Sequence, residues 1–332
     1  MMQALRQNAA PKRYLFNTFF STVRTFTTKT VEVDIQKSKR HIAGFTSPLA
    51  PANVVDREGF ETFETGAGYI KERMPLRAAD VLHRQMGENM YSPLNPEQRA
   101  AIQIGLDLRT LEERIVRREE VMCAEALFTG KVHIKGDGIN RTVDFGYEND
   151  IHKKVLSSTS CWDKDGDPMR DLDEWISEIV TRCGRNPNRL IVGSDVVWAI
   201  IDNPKVQKRL DLRRFEMGLV KVENLPEGVR YLGTLTPPGI DIYTYDEVYT
   251  DPDDGLDKPI VPKDSILLGS TEAGSLMLYG VIENMKKLAA VSRFPFTWEE
   301  PDGRARWLQI ESAPLPNLYQ VDAYLTAKVL SV

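Results

Sequence analysis

The chain has 332 residues, 42% hydrophobic and 27% charged, with a net charge of −5 at pH 7. That is globular composition with ample length for a core, which excludes disordered and collagen-like chains. The acidic balance argues against a dedicated nucleic-acid binder, and no run approaches the ~18 apolar residues of a membrane span.

Cys123, Cys161 and Cys183 are an odd, sparse set, which points to a reducing compartment rather than a disulfide framework. His41, His83, His133 and His152 are scattered, without HExxH or a pair at helical spacing, so no metal site is expected.

Residues 1–31 hold Arg6, Lys12, Arg13, Arg24 and Lys29 and no acid; Glu32 is the first. Composition alone resembles a mitochondrial transit peptide. The preferred reading is a basic arm of the mature chain, because Tyr14, Leu15, Phe16, Phe19 and Phe20 form an apolar cluster that needs a docking surface. Alternation of Val31, Val33 and Ile35 predicts a half-buried strand. From Lys37 to Arg77 the chain is loop and ribbon, too long a stretch for the inside of a compact domain. Its apolar residues Phe45, Val54, Val55, Phe60, Phe63, Tyr69 and Ile70 favour burial against a partner.

A helix is predicted from Pro96 to Thr129. Asn95 is a good N-cap, Pro96 suits the first position, Gln98 completes a capping box and Gly130 supplies the stop. Ile104, Leu108, Leu111, Ile115, Met122 and Ala126 share one face, and Arg109–Glu113 and Glu113–Arg117 are i,i+4 pairs. At 1.5 Å per residue this is a strut roughly 50 Å long. Val132, Ile134, Val143 and Phe145 around Gly136-Asp137-Gly138 predict a β-hairpin. Asp171 with Glu174 reads as the cap of a helix carrying Trp175, Ile176, Ile179 and Val180. Leu190 to Val192 reads as a buried strand, and Ser194-Asp195 opens another helix. Extended segments follow at Val229–Leu235, Ile240–Tyr245, Ile266–Leu268 and Leu276–Ile282, a mixed α/β block. The last stretch, Trp307 to Val332, alternates and is expected to pair with the earlier hairpin.

Little of this suggests chemistry. Asp163, Asp165, Asp167, Asp171 and Glu174 fall in a calcium-loop register, but Pro168 stands where that loop needs Gly, so a solvated turn is the better reading. Asp251, Asp253, Asp254 and Asp257 mark an exposed turn. Arg213-Arg214 is a fork-shaped donor suited to a carboxylate on a neighbouring subunit. No nucleophile, base and oxyanion donor assemble, so no catalytic residue and no cofactor are expected.

Ordered short matches do carry a resemblance. They are Phe26-Thr27-Thr28 before the Val31 strand, Leu210-Asp211-Leu212-Arg213-Arg214, and Leu267-Leu268-Gly269-Ser270-Thr271-Glu272-Ala273-Gly274 followed by Tyr279-Gly280. Arg293-Phe294-Pro295 with Trp298, then Gln309-Ile310-Glu311-Ser312-Ala313-Pro314-Leu315, complete the set. Together they resemble the lambda-type major capsid proteins of tailed bacteriophages. The resemblance implies an α+β Hong Kong 97-like capsid fold. Its expected parts are an N-terminal arm (1–30), an extended E-loop region (31–80) and a P-domain with a long spine helix and β-sheet (81–155). A mixed α/β A-domain (156–290) and P-domain return strands (291–332) follow.

It further implies a homo-oligomer of hexamers and pentamers forming an icosahedral head that encloses double-stranded DNA without specific binding, with no membrane. A decoration protein, a scaffold and a portal protein are the implied partners, and the virion, assembled in the host cytoplasm, is the implied location. An encapsulin-like shell around protein cargo and an organellar enzyme are the competing readings. The acid-free arm is expected to face inward, and removal of residues 1–20 to impair shell formation.

Overall fold

The computed structural model describes residues 13–28, 30–35, 42–43, 45–46, 51, 61–83, 88, 94–136, 138–211, 225–226, 228–284 and 289–331. The longest predicted element forms as expected. The long helix runs Pro96–Thr129, 34 residues, or ~51 Å. Asn95 Oδ1 accepts the Gln98 N–H at 2.8 Å, and Gln98 Oε1 accepts the Asn95 N–H at 3.1 Å. Gly130 ends the helix at φ +67°, where a Cβ would sit 2.2 Å from the Tyr147 ring, so only glycine fits. Arg109 and Glu113 pair at 3.0 Å on the wet side.

The strut description holds for the first half only. Leu111 and Ile115 pack on Leu308 and Ile310 of a three-stranded sheet, ordered Phe294–Glu299, Ala305–Ser312, Ile70–Arg77. Beyond Glu119 almost every helix residue to Phe128 is buried. A helix buried all round is a core element, and this end is one, with Glu119 and Glu120 inside it.

That end packs under a seven-stranded sheet. Its order is Lys153–Val155, Tyr324–Lys328, Ser265–Gly269, Arg189–Val192, Ile240–Tyr245, Val229–Leu235, Leu210–Asp211. The pairings 153–155 with 324–328 and 189–192 with 240–245 are parallel and the others antiparallel. Leu190-Ile191-Val192 and Ile266-Leu267-Leu268 are buried throughout, as unbroken apolar runs are when both faces are covered. Helices Pro168–Cys183 and Val196–Ile201 cover one face through Trp175, Ile179, Val197 and Ile200. The other face takes Ala126 and Leu127 of the long helix and the N-terminal helix Tyr14–Phe19. The apolar cluster at Tyr14–Phe20 therefore finds its docking surface in its own chain, so this part of the 1–30 arm is core, while Thr22–Thr25 is exposed.

Thr22–Thr25 runs parallel to Leu276–Tyr279, which pairs with Pro314–Asn317. Thr30–Ile35 and Glu61–Gly66 form a two-stranded ribbon. The hairpin Lys131–Gly136/Ile139–Asp144 forms as predicted.

Three expectations are corrected. The C-terminal strands do not pair with that hairpin. Ala305–Ser312 lies between Ile70–Arg77 and Phe294–Glu299, and Tyr324–Lys328 joins the seven-stranded sheet. Hairpin residues 139–144 are mostly exposed and offer no buried face to match Leu325 and Ala327. The 291–332 stretch is thus divided between two sheets. The cap of the Pro168–Cys183 helix is Asp167, whose Oδ1 accepts the Met169 N–H at 3.2 Å. Pro168 fixes the first helical position, which moves Asp171 into the first turn, where it accepts the Trp162 indole N–H at 2.8 Å. The extended run 276–282 breaks at Gly280, whose missing Cβ leaves room for Phe26 and Ala67.

Candidate functional site

The ribbon is one of four two-stranded sheets among the described residues, and the one whose strands flank the coreless stretch read from the sequence. Two strands alone are marginal in water, and among the described residues no third strand joins it. The strands pair antiparallel in one register, from Thr30 opposite Gly66 to Ile35 opposite Glu61, and at the root Val31 packs against the core and Thr65 is buried. Between its strands, Ile42 and Phe45 are fully exposed.

The sequence-derived contact candidates separate into three groups. Phe45 is fully exposed on the surface. Tyr69 and Ile70 are engaged inside the chain. The Tyr69 hydroxyl donates to Glu311, and Ile70 packs with the cluster around Leu111 and Ile115. Burial and the Glu311 carboxylate raise the Tyr69 phenol above its ordinary value. Those two residues sit at the ribbon's root, where it must be tied to the body. Val54, Val55, Phe60, the Phe63 side chain, Arg213 and Arg214 lie outside the described residues.

Two adjacent glutamates on the long helix tie the ribbon-bearing N-terminal segment to both sheets. Glu119 is fully buried and takes Arg293 Nη1 at 2.7 Å, Arg293 Nη2 at 2.9 Å, Arg13 at 3.1 Å and the Tyr279 hydroxyl at 2.8 Å. Burial works against the Arg293 charge, but the Glu119 carboxylate outweighs it and raises the guanidinium further. Glu120 accepts the backbone N–H of Leu15 at 2.6 Å and of Phe16 at 3.2 Å, and the Tyr245 hydroxyl also bonds it. Burial still dominates, so the Glu120 carboxyl is pushed up to about 7. One helical turn thus clamps the N-terminal helix, Tyr245 of the seven-stranded sheet and Arg293 at the start of the return strands.

The three-stranded sheet has a second, half-open face. Phe294, Phe296, Trp298 and Trp307 stack along it at centroid distances of 5.5, 5.4 and 6.2 Å, and the Arg73 guanidinium lies 4.7 Å from the Trp307 ring. An aromatic stripe with a cation over it is typical of protein contact surfaces.

The weaker sequence motifs resolve into structural roles. Asp163 accepts from Ser331, Asp167 pairs with Lys205, and Asp171 holds Trp162, so these carboxylates do not converge. Among the described residues no group of three or more His, Cys, Asp or Glu is placed to hold a metal ion. In the 251–257 turn, Lys258 bridges Asp251 at 2.6 Å and Asp254 at 2.7 Å. Sequence reasoning missed the Glu119–Glu120 clamp. The signal was present: two acids directly precede the apolar run Val121-Met122-Cys123-Ala124, which marks a buried helix end where charges need partners.

The comparisons with known proteins agree with this architecture. The family described as phage major capsid protein E matches residues 1–329. The P21 prophage-derived major head protein of Escherichia coli O6:H1 strain CFT073 is 27% identical over 326 residues, covering 94% of this chain and 92% of that protein. The major capsid protein of Escherichia phage lambda is also 27% identical over 326 residues, with the same 94% and 92% coverage. The crystal structure of a prophage capsid protein from E. coli CFT073 superposes with a TM-score of 0.72 at 24% identity, over 95% of this chain and 92% of that one. Members of this family are structural proteins, which sets aside the enzyme reading. The chain belongs to the phage major capsid protein E family: it is a non-enzymatic shell protein of a bacteriophage head, with the Hong Kong 97-type fold.

Proposed function

We propose that copies of this chain associate as hexamers and pentamers and close into an icosahedral head around double-stranded DNA. The observation that carries this reading is the two-stranded ribbon, Thr30–Ile35 with Glu61–Gly66, which extends from a body that has its own core and joins no third strand among the described residues. A neighbouring copy supplies the missing surface, and repeated heterologous contacts of that kind close under symmetry. Obligate interfaces of this type bury on the order of 2,000–5,000 Å². The exposed Phe45 contributes to that surface, with Val54, Val55, Phe60 and Phe63 from the same region and Arg213-Arg214 from the body.

The net charge of −5 suits a container wall that does not adhere to DNA. The acid-free segment ahead of the docked Tyr14–Phe19 helix is the part read as facing the interior, toward a scaffold protein or the genome. A decoration protein, a scaffold and a portal complete the head, which assembles in the host cytoplasm. Electron microscopy of the purified chain, and of particles from cells with nuclease treatment, tests this reading. Closed shells with five- and six-fold capsomers and protected double-stranded DNA are expected. A small soluble oligomer at every concentration refutes it.

A further inference from the structure

Residues Gly66 to Tyr69, where the ribbon joins the body, are each held by a contact from the body. Arg141 Nη2 donates to the Gly66 carbonyl and, at 3.1 Å, to the Ala67 carbonyl. The Gly68 backbone lies against Ile134, which a Cβ there would meet at 3.4 Å. Ala67 and Phe26 close on Gly280 from the other side, 3.2 and 3.1 Å from where its Cβ would be. Tyr69 is tied to Glu311. On the incoming strand, the Phe26 N–H donates to the Tyr279 carbonyl at 2.9 Å.

Two of these contacts come from one place. Ile134 and Arg141 are cross-strand partners in the hairpin that follows the long helix. That hairpin is fixed firmly to the helix end. Val132 and Val143 are buried in the core, the Phe145 N–H donates to the Gly130 carbonyl at 2.8 Å, and the His133 N–H donates to Glu125 of the helix at 3.0 Å. The hairpin is therefore a rigid bracket, and Arg141 is its hand on the ribbon.

We propose that Arg141 is a positioning residue for assembly: through the Gly66 and Ala67 carbonyls it sets the angle at which the ribbon leaves the body, and thereby the curvature of the shell. This inference rests on the shell-assembly reading above. Leverage makes the angle matter. Six residues of strand span about 20 Å, so a tilt of roughly 10° at the root moves the far end by about 3.5 Å, close to one residue of strand rise. A displacement of that size shifts side chains out of register with the surface of a neighbouring copy. The guanidinium is suited to the task because a single planar donor group can serve two adjacent carbonyls at once.

The test compares wild type, Arg141→Ala and Arg141→Gln. Shell diameter is measured by cryo-electron microscopy, with amide exchange at residues 66–69 and the urea midpoint measured on the unassembled chain. Arg141 is exposed, so both variants are expected to keep the wild-type midpoint. Exchange at residues 66–69 is expected to quicken about tenfold, the factor that losing one charge-assisted hydrogen bond gives. Particles of wrong diameter, tubes or open sheets are expected to rise by a similar factor. Wild-type diameters from either folded variant, whether or not exchange quickens, overturn the proposal while leaving the assembly reading intact. Absence of shells from the wild-type chain refutes the assembly reading and this inference with it.

Discussion

The adjacent acids Glu119 and Glu120 are predicted to respond in opposite directions when neutralised. Glu119 is fully buried and balances Arg293 and Arg13. Glu119→Ala leaves the Arg293 guanidinium buried without its counter-ion, which costs about 3–5 kcal/mol. Among the described residues Glu120 is held by hydrogen bonds rather than by a cation, and its carboxyl moves from the usual 4.5 to about 7 because burial outweighs those bonds. At 1.36 kcal/mol per pH unit, the ionised form costs the fold about 3 kcal/mol. Between those two values the folded chain holds a proton that the unfolded chain has lost. Stability from this group is therefore greatest in acid, falls as pH rises through the window, and carries its full cost above pH 7. Glu120→Gln keeps an acceptor for the Leu15 and Phe16 N–H groups and removes the charge. It is expected to exceed wild type by up to about 3 kcal/mol at pH 8 and by less than about 1 kcal/mol at pH 5. Urea unfolding of the unassembled chain at fixed concentration reads both effects. Glu119→Ala is expected to lower the midpoint by about 1 M or more. Equal destabilisation by both variants at both pH values would refute the reasoning.

Three further outcomes follow from the packing. Gly130→Ala places a Cβ at φ +67° and 2.2 Å from the Tyr147 ring, and is expected to cost at least about 2 kcal/mol in thermal or urea unfolding. Removal of residues 1–12 is expected to leave the unfolding transition of the body unchanged. Removal of 1–20 also deletes buried Tyr14, Leu15, Phe16, Phe19 and Phe20, at about 1.5–3 kcal/mol each, which exceeds the margin of a typical fold. The shorter truncation is therefore the clean test of an inward-facing arm, read by particle yield. Phe45→Ser alters a fully exposed side chain, so the unassembled chain should keep its midpoint within about 0.5 kcal/mol. Its critical concentration for assembly should rise about tenfold or more, as losing one buried aromatic at an interface requires.

The parts of the fold legible in the sequence are those whose signals are local. Asn95, Pro96, Gln98 and Gly130 bound the long helix because caps and stops act within four residues. The apolar runs at 190–192 and 266–268 identify buried strands for the same reason. Strand partnership was not legible. Alternation says that Ala305–Ser312 and Tyr324–Lys328 each need a neighbour, but pairing with Ile70–Arg77 or Ser265–Gly269 is decided by contacts hundreds or tens of residues away. The Asp171 cap failed because two aspartates four residues apart offered the same chemistry, and the fixed φ of Pro168 chose Asp167. Among the contact candidates, Phe45 is an apolar residue in a coreless stretch and is exposed. Tyr69 and Ile70 looked identical to it in sequence, yet they stand where the ribbon meets Glu311 and the long helix. Arg141 carries no local signal at all, since its role comes from carbonyls some 74 residues earlier in the chain.

Amide hydrogen exchange, compared between the unassembled chain and the closed shell, bears most directly on the claim that the ribbon is completed by another copy. Residues 30–35 and 61–66 should gain protection of about tenfold or more on assembly, while the central strands Arg189–Val192 and Ser265–Gly269 stay as slow as before. Equal, strong protection of the ribbon in the unassembled chain would show that it is already satisfied by its own body, and would contradict the account.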